Sequence, residues 1–164
     1  MDRVQLSPDF YLDEFTRSET AARHGIAVDI AVGSAEYANV QRLVVTVLQP
    51  ARAVIWARPV SVTSGFRPEP LNRLIGGSPT SDHCTASAAD VWLPGDLLEA
   101  ARAVEAAGLP FKQLIYEFGK WIHLSVPGKG EESRRQVLTA YRSGGRVVYV
   151  PGLHRIEDLE RAAA

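Results

Sequence analysis

The spacing of apolar residues changes near Pro59, and this change constrains the fold more than any other feature of the sequence. Before it, apolar residues recur at helical intervals from Ser34 to about Trp56. After it, short segments alternate apolar and polar residues, as half-buried strands do. Helices followed by antiparallel-looking strands favour an α+β fold over a doubly wound parallel sheet.

Turn and capping residues divide the chain into short elements. Ser18 is expected to begin a short helix that Gly25 ends, and Pro50 to kink or divide the long helix. Further helices are predicted at 69–75 and 97–107. Strands are predicted at 60–63, 88–93, 113–118, 121–126, 135–141 and 146–150, with a hairpin joining the last two. These elements predict one domain over residues 1–164, with a small antiparallel sheet flanked by helices.

Charge and cysteine content exclude several functional classes. The 164 residues include 18 Lys and Arg against 19 Asp and Glu, so no charge excess indicates binding to nucleic acid or to an anionic membrane. The single cysteine, Cys84, excludes an intrachain disulfide and a zinc finger with several Cys ligands.

No apolar run approaches the ~20 residues of a membrane span. The first residues lack a signal-peptide pattern, so we expect a soluble protein made in the cytoplasm. The sequence does not indicate its oligomeric state.

Two segments carry candidate metal ligands. His83 lies in a polar loop, and Asp90 lies in the strand that follows it. The apolar face of that strand must be the core, so Asp90 is expected on the opposite face. In Trp121-Ile122-His123-Leu124-Ser125, the same alternation places His123 away from the core. Two imidazoles and a carboxylate suit Zn²⁺ and leave one coordination position for water.

At these residues the chain resembles the zinc D-alanyl-D-alanine peptidase family, especially its small branch in phage endolysins and prophages. The similarity spans roughly Phe10 to Ser125. The motifs that carry it, in order, are Ser64-Gly65-Phe66-Arg67, Leu71-Asn72 through Gly76-Gly77-Ser78, Ser81-x-His83-x6-Asp90 and Trp121-Ile122-His123. One departure is Ala86, where the family usually has a glycine, which permits positive φ. The resemblance implies a hedgehog/DD-peptidase-like fold with a zinc site on the sheet face.

The resemblance also implies an activity and a cofactor. It implies Zn²⁺ held by His83, Asp90 and His123, with a bound water and a carboxylate base. The implied reaction is hydrolysis of peptide bonds in peptidoglycan stem peptides, by a D-Ala-type carboxypeptidase or an endopeptidase. Which bond is cut, which cell walls are preferred and what residues 127–164 do are not indicated.

Three further residues receive candidate roles. Arg67 is assigned to the oxyanion or to the terminal carboxylate of the substrate, because a guanidinium fork matches carboxylate geometry. Ser81 is expected either to hydrogen-bond the substrate or to shape its loop. Trp121 is expected to form a wall of the pocket or to pack beside the metal.

Glu117 is the best candidate for the general base, because a carboxylate in an apolar strand is costly unless it is used. A two-residue turn at Gly119-Lys120 would point it toward the core, opposite Ile122. An odd loop over residues 119–121 would place it opposite His123 on the zinc side, and we predict this loop. The alternatives are a carboxylate at the rim paired with Lys120 or an arginine, and Asp82 as the base.

Three hypotheses follow. The first is the zinc peptidase, expected to act on the cell wall after release from the cell or to be carried in a virion. The second is a non-catalytic relative that binds wall peptide or forms a structural part of a virion. The third is a metal-free packing domain, which requires His83, Asp90 and His123 to be scattered in space.

Overall fold

The computed structural model describes residues 3–163 of the chain. A two-stranded ribbon, β1 (Gln5–Ser7) with β2 (Phe10–Tyr11), precedes a short 3₁₀ turn, Leu12–Glu14. Helix α1 (Glu19–Arg23) begins where the Ser18 hydroxyl accepts a hydrogen bond from the Ala21 amide. Gly25 follows the helix with a φ of 63°, so the predicted start and end are both confirmed.

The long helix forms where the apolar periodicity predicts it. Helix α2 (Ala35–Leu43) is capped by Ser34 and continues through wider π-type turns at Val44–Leu48 and Ala51–Ile55. Pro50 lies between the two wide turns. Because proline lacks an N–H and its ring crowds the carbonyl four residues earlier, widening the helix here avoids a break.

The remaining elements are six strands and three short helices. They are β3 (Ser61–Ser64), α3 (Glu69–Leu74), β4 (Ala88–Trp92), α4 (Leu97–Ala106), β5 (Gln113–Glu117), β6 (Trp121–Ser125), β7 (Gln136–Ser143), β8 (Arg146–Pro151) and α5 (Ile156–Ala162). Asp96 caps α4 by accepting hydrogen bonds from the amides of Leu98 and Glu99. Gly144 and Gly145 form the two-residue turn of the β7–β8 hairpin, both with positive φ.

Strands β3 to β8 form one six-stranded sheet in the order β3-β4-β6-β5-β7-β8. All neighbours are antiparallel except β5 and β7, which run parallel with Gln113 opposite Gln136. The expectation of a small antiparallel sheet is therefore wrong. The connection 126–135 crosses from the end of β6 past β5, so β7 pairs with the edge of β5 that β6 leaves free. Strand β7 therefore runs antiparallel to β6 and parallel to β5. The α+β class is compatible with the structure.

One face of the sheet carries the hydrophobic core. Val91, Ile122 and Leu124 are fully buried there, and α4 packs across β5 and β6. The opposite face holds Asp90 and His123. Within residues 3–163, no helix combines the length and apolar character that a bilayer crossing requires.

Candidate metal centre

Strands β4 and β6 bring two of the three predicted ligands, Asp90 and His123, side by side. Asp90 pairs directly with His123, while the next pair, Val91 with Ile122, turns to the core. Both predicted strand faces are confirmed. The Asp90 and His123 residues are each 7% exposed, so two polar side chains lie buried next to each other on the sheet face.

The loop before β4 supplies His83. A 3₁₀ turn over Asp82–Thr85 carries it, and the Ser81 hydroxyl caps this turn by accepting from the His83 amide at 3.4 Å. Ala86 then adopts the left-handed conformation, with φ 56° and ψ 24°, and turns the chain into β4. In the family that the sequence resembles, this position is usually glycine, and the backbone here does require a positive φ. Ala86 meets that need at a cost in strain.

The three ligand atoms form a compact triangle. His83 Nε2 lies 3.2 Å from Asp90 Oδ1 and 3.2 Å from His123 Nδ1, and His123 Nδ1 lies 2.9 Å from the same oxygen. A tetrahedral zinc with bonds of ~2.0–2.1 Å separates its ligand atoms by about 3.3 Å. The buried trio could hold a metal ion, and its donor set and spacing fit zinc.

Neighbouring groups fix the orientation of these ligands. His83 Nδ1 donates to the Gly65 carbonyl oxygen at 2.7 Å, which leaves Nε2 as the metal-binding nitrogen. Arg67 Nη2 donates to Asp90 Oδ2 at 2.9 Å, and Arg67 Nε donates to the Ser64 hydroxyl at 3.0 Å. Asp90 therefore presents only Oδ1 to the centre. The structure places the Arg67 side chain against a metal ligand, a contact that the sequence did not indicate.

Burial and the Asp90 carboxylate determine how the ionisable groups of the centre titrate. Burial lowers the pKa of His83. Burial also acts to lower the pKa of His123, but the hydrogen bond and charge of Asp90 outweigh this effect and raise it. The pKa of Asp90 is lowered, because the charges and hydrogen bonds of both histidines outweigh its burial. Such a site keeps its carboxylate ionised and lets a cation compete with protons for the imidazoles.

Glu117 lies on the same sheet face as the ligands. The loop between β5 and β6 is odd, as expected, but it spans residues 118–120, so Glu117 pairs with Trp121. The predicted pairing with His123 is therefore wrong, although both registers put Glu117 on this face. Trp121 Nε1 donates to Glu117 Oε2 at 3.1 Å. Burial, and then the charge of Asp90, raises the pKa of the Glu117 carboxyl.

A cavity of about 500 Å³ opens over the centre. Its lining includes Arg67, Ser81, His83, Glu117 and His123, which sequence reasoning had singled out. Lys112 and Tyr149 also line it and had not been identified. Asp82, the reserve candidate for the base, is engaged in an ion pair with Lys112 at 2.6 Å. Neither Lys112 nor Tyr149 belongs to a recognisable motif, so only the folded chain shows their position.

Comparison with known protein families gives a match over most of the chain. A family model described as Peptidase M15 matches residues 8–125, which cover β2 through β6 and therefore all three ligands. Elements β7, β8 and α5 lie outside the matched region. No curated protein matches the chain.

Proposed function

Because the chain belongs to the peptidase M15 family, a family of zinc D-Ala-D-Ala peptidases, we propose that it hydrolyses peptide bonds of peptidoglycan stem peptides. The observation that carries this proposal is the buried trio His83, Asp90 and His123, with Glu117 on the same face of the sheet. A structural role alone does not require two imidazoles and a carboxylate to converge within 3.2 Å.

Zinc bound by the trio would lower the pKa of a coordinated water and polarise the scissile carbonyl. The chain supplies the proton transfers. Trp121 holds Glu117 Oε2, so we assign Oε1 to take the proton of the attacking water and to deliver it to the leaving amine. The raised pKa of Glu117 suits this work, because a base with a pKa nearer neutrality also returns its proton readily.

Arg67 has two tasks in this proposal. Its Nε and Nη2 are engaged with Ser64 and Asp90, which holds the metal ligand in place. We assign the remaining nitrogen, Nη1, to the developing oxyanion or to the terminal carboxylate of the substrate, because Arg67 borders the cavity. Ser81 also lines the cavity, and its hydroxyl caps the His83 turn.

Zinc content and peptide turnover test the proposal together. The parent protein should carry about one zinc per chain and should release D-alanine from a stem pentapeptide or open a cross-linked stem dimer. These two substrates separate carboxypeptidase from endopeptidase action. His123→Ala should lose both zinc and turnover. His24→Ala, an exposed histidine distant from the trio in the chain, is the matched control and should lose neither.

Two results would contradict the proposal. Zinc and peptide binding without turnover of either substrate would favour a non-catalytic relative that binds wall peptide. A parent protein without zinc, even after zinc is added back, would leave the trio without its assigned chemistry.

A further inference from the structure

The sheet face that carries the metal centre continues across three more strands. Side chains on one face recur at every second residue, so register identifies which positions share the face. One row of paired residues crosses the sheet through Asp90, His123, Ile115 and Leu138. The adjacent row on the same face crosses through Trp121, Glu117, Ala140 and Tyr149.

Both rows end in residues outside the region that matches the family. The match stops at residue 125, whereas Leu138 and Tyr149 lie on β7 and β8. Nevertheless these two side chains line the same cavity as His83 and His123. The C-terminal hairpin therefore contributes side chains to the part of the cleft remote from the metal centre.

Strand β5 and the hairpin together give this part of the cleft an apolar floor and an aromatic wall. Ile115 is buried, and Leu138 beside it is half-buried, so together they form a continuous apolar floor. Ala140 separates Glu117 from Tyr149 in the second row and is fully buried beneath its neighbours, so the larger side chains on either side of it form the cleft surface. The Tyr149 residue is 53% exposed, so its ring has surface left to cover a ligand.

We infer that Tyr149, with Leu138, forms a binding subsite for the part of a wall peptide that is remote from the scissile bond. This inference rests on the proposed function and extends it to substrate length. Three strand intervals of ~4.8 Å separate β6 from β8, or about 14 Å. An extended peptide advances ~3.3–3.6 Å per residue, so about four residues reach from the metal centre to β8. A stem pentapeptide spans the cleft, and a dipeptide does not.

Steady-state kinetics with two probes tests the subsite. The probes are a stem pentapeptide that ends in D-alanyl-D-alanine and the free dipeptide D-alanyl-D-alanine. Tyr149→Ala should raise the KM for the pentapeptide by about tenfold with little change in kcat, because it removes binding that ground state and transition state share. Its kinetics on the dipeptide should match those of the parent. Tyr149→Phe, which keeps the ring, should recover a KM within about threefold of the parent value.

Val147→Ala is the matched control. Val147 lies on the same face of β8 as Tyr149, is 42% exposed and does not line the cavity. Truncating its side chain should therefore change neither the KM for the pentapeptide nor the KM for the dipeptide. An unchanged pentapeptide KM in Tyr149→Ala, an equal change for both probes, or a Tyr149→Phe variant as weak as Tyr149→Ala would overturn the subsite. A parent protein that cleaves neither probe would instead count against the proposed carboxypeptidase activity, so the two failures are distinguishable.

Discussion

Gly65→Ala tests how closely the metal centre depends on the backbone around it. A Cβ at Gly65 would lie 2.4 Å from the Phe15 carbonyl oxygen and 2.5 Å from the Phe15 Cα, whereas real Cβ atoms essentially never approach closer than 3.0 Å. One backbone must therefore move by at least the difference, 0.6 Å. Phe15 has little room to move, because its residue is 1% exposed and its carbonyl accepts a hydrogen bond from the Phe66 amide at 2.7 Å.

Two measurable losses follow from this clash. Overpacking of this kind costs about 1–3 kcal/mol, which for a domain of this size lowers Tm by about 2–12 °C. The Gly65 carbonyl also accepts the His83 Nδ1 hydrogen bond, and disturbing such a partner weakens metal affinity by about 10–100-fold. Thermal unfolding of the metal-free protein followed by circular dichroism measures the first loss. Zinc competition with a chromophoric chelator measures the second.

Gly128→Ala is the matched control for this variant. Neither Gly65 nor Gly128 has a positive φ, so alanine is compatible with the backbone conformation at both positions. The nearest atoms to a Cβ added at Gly128 belong to the Glu131 carboxylate group, at 3.0 Å or beyond. This exposed side chain can rotate away, so stability should stay within about 0.5 kcal/mol of the parent and zinc affinity should not change. A Gly65→Ala protein that unfolds at the parent temperature and binds zinc with the parent affinity would refute the reasoning.

Three further predictions concern charge and strain at the site. Glu117→Gln should keep zinc but lower kcat by about 10²–10⁴-fold. In the metal-free protein, the free energy of unfolding of Glu117→Gln should exceed that of the parent at neutral pH. The pKa of Glu117 is raised in the folded state, so ionising this carboxyl as the pH rises destabilises the folded parent, whereas glutamine stays neutral. Urea titrations should show that the difference vanishes near pH ~4, where the carboxyl is largely protonated in both states. The zinc dissociation constant, followed from about pH 8 to about pH 5.5, should rise about tenfold per pH unit below the raised pKa of His123, and a flat profile would contradict proton competition. The free energy of unfolding of Ala86→Gly should stay within about 1 kcal/mol of the parent value, because relief of left-handed strain offsets the loss of a buried methyl group. Ala86→Val should lower the free energy of unfolding by more than about 2 kcal/mol in the same denaturation assay.

Local signals predicted most of the elements but not all their neighbours. Caps and turns such as Ser34 and Asp96 act within a few residues, so they can be recognised in the sequence. The parallel pairing of β5 with β7 depends on the path of the connection 126–135, which no local pattern specifies. Helix α5 was not predicted either. None of its residues is buried, and Ile156 and Leu159 are its only large apolar residues, too few to identify a helix from the sequence.

The metal ligands could be identified because strand alternation and motif order both pointed to them. Their orienting partners could not. The Gly65 carbonyl reaches His83 only because β3 ends against Phe15, a packing between distant segments. Similarly, Tyr149 enters the cleft through four successive strand pairings, from β4 to β8. Contacts of this kind become visible only once register is known.

Glu117 shows why the strand register matters for the chemistry of the site. An odd loop is sufficient to put Glu117 on the metal side, but Phe118 decides which residue it faces. Phe118 takes a φ of 56° and packs edge-on against Trp121 at 5.5 Å, with the Arg142 guanidinium of β7 over its ring at 5.3 Å. Asp90 already lies opposite His123 on β4, so a carboxylate opposite His123 on β5 would be a second acidic group beside the ligands. The next pair on this face lies about 7 Å further along the strand, and there the Trp121 indole holds Glu117 at the edge of the cavity. This position is compatible with the base role that we propose for Glu117, because the cavity over the centre lies beside its carboxylate.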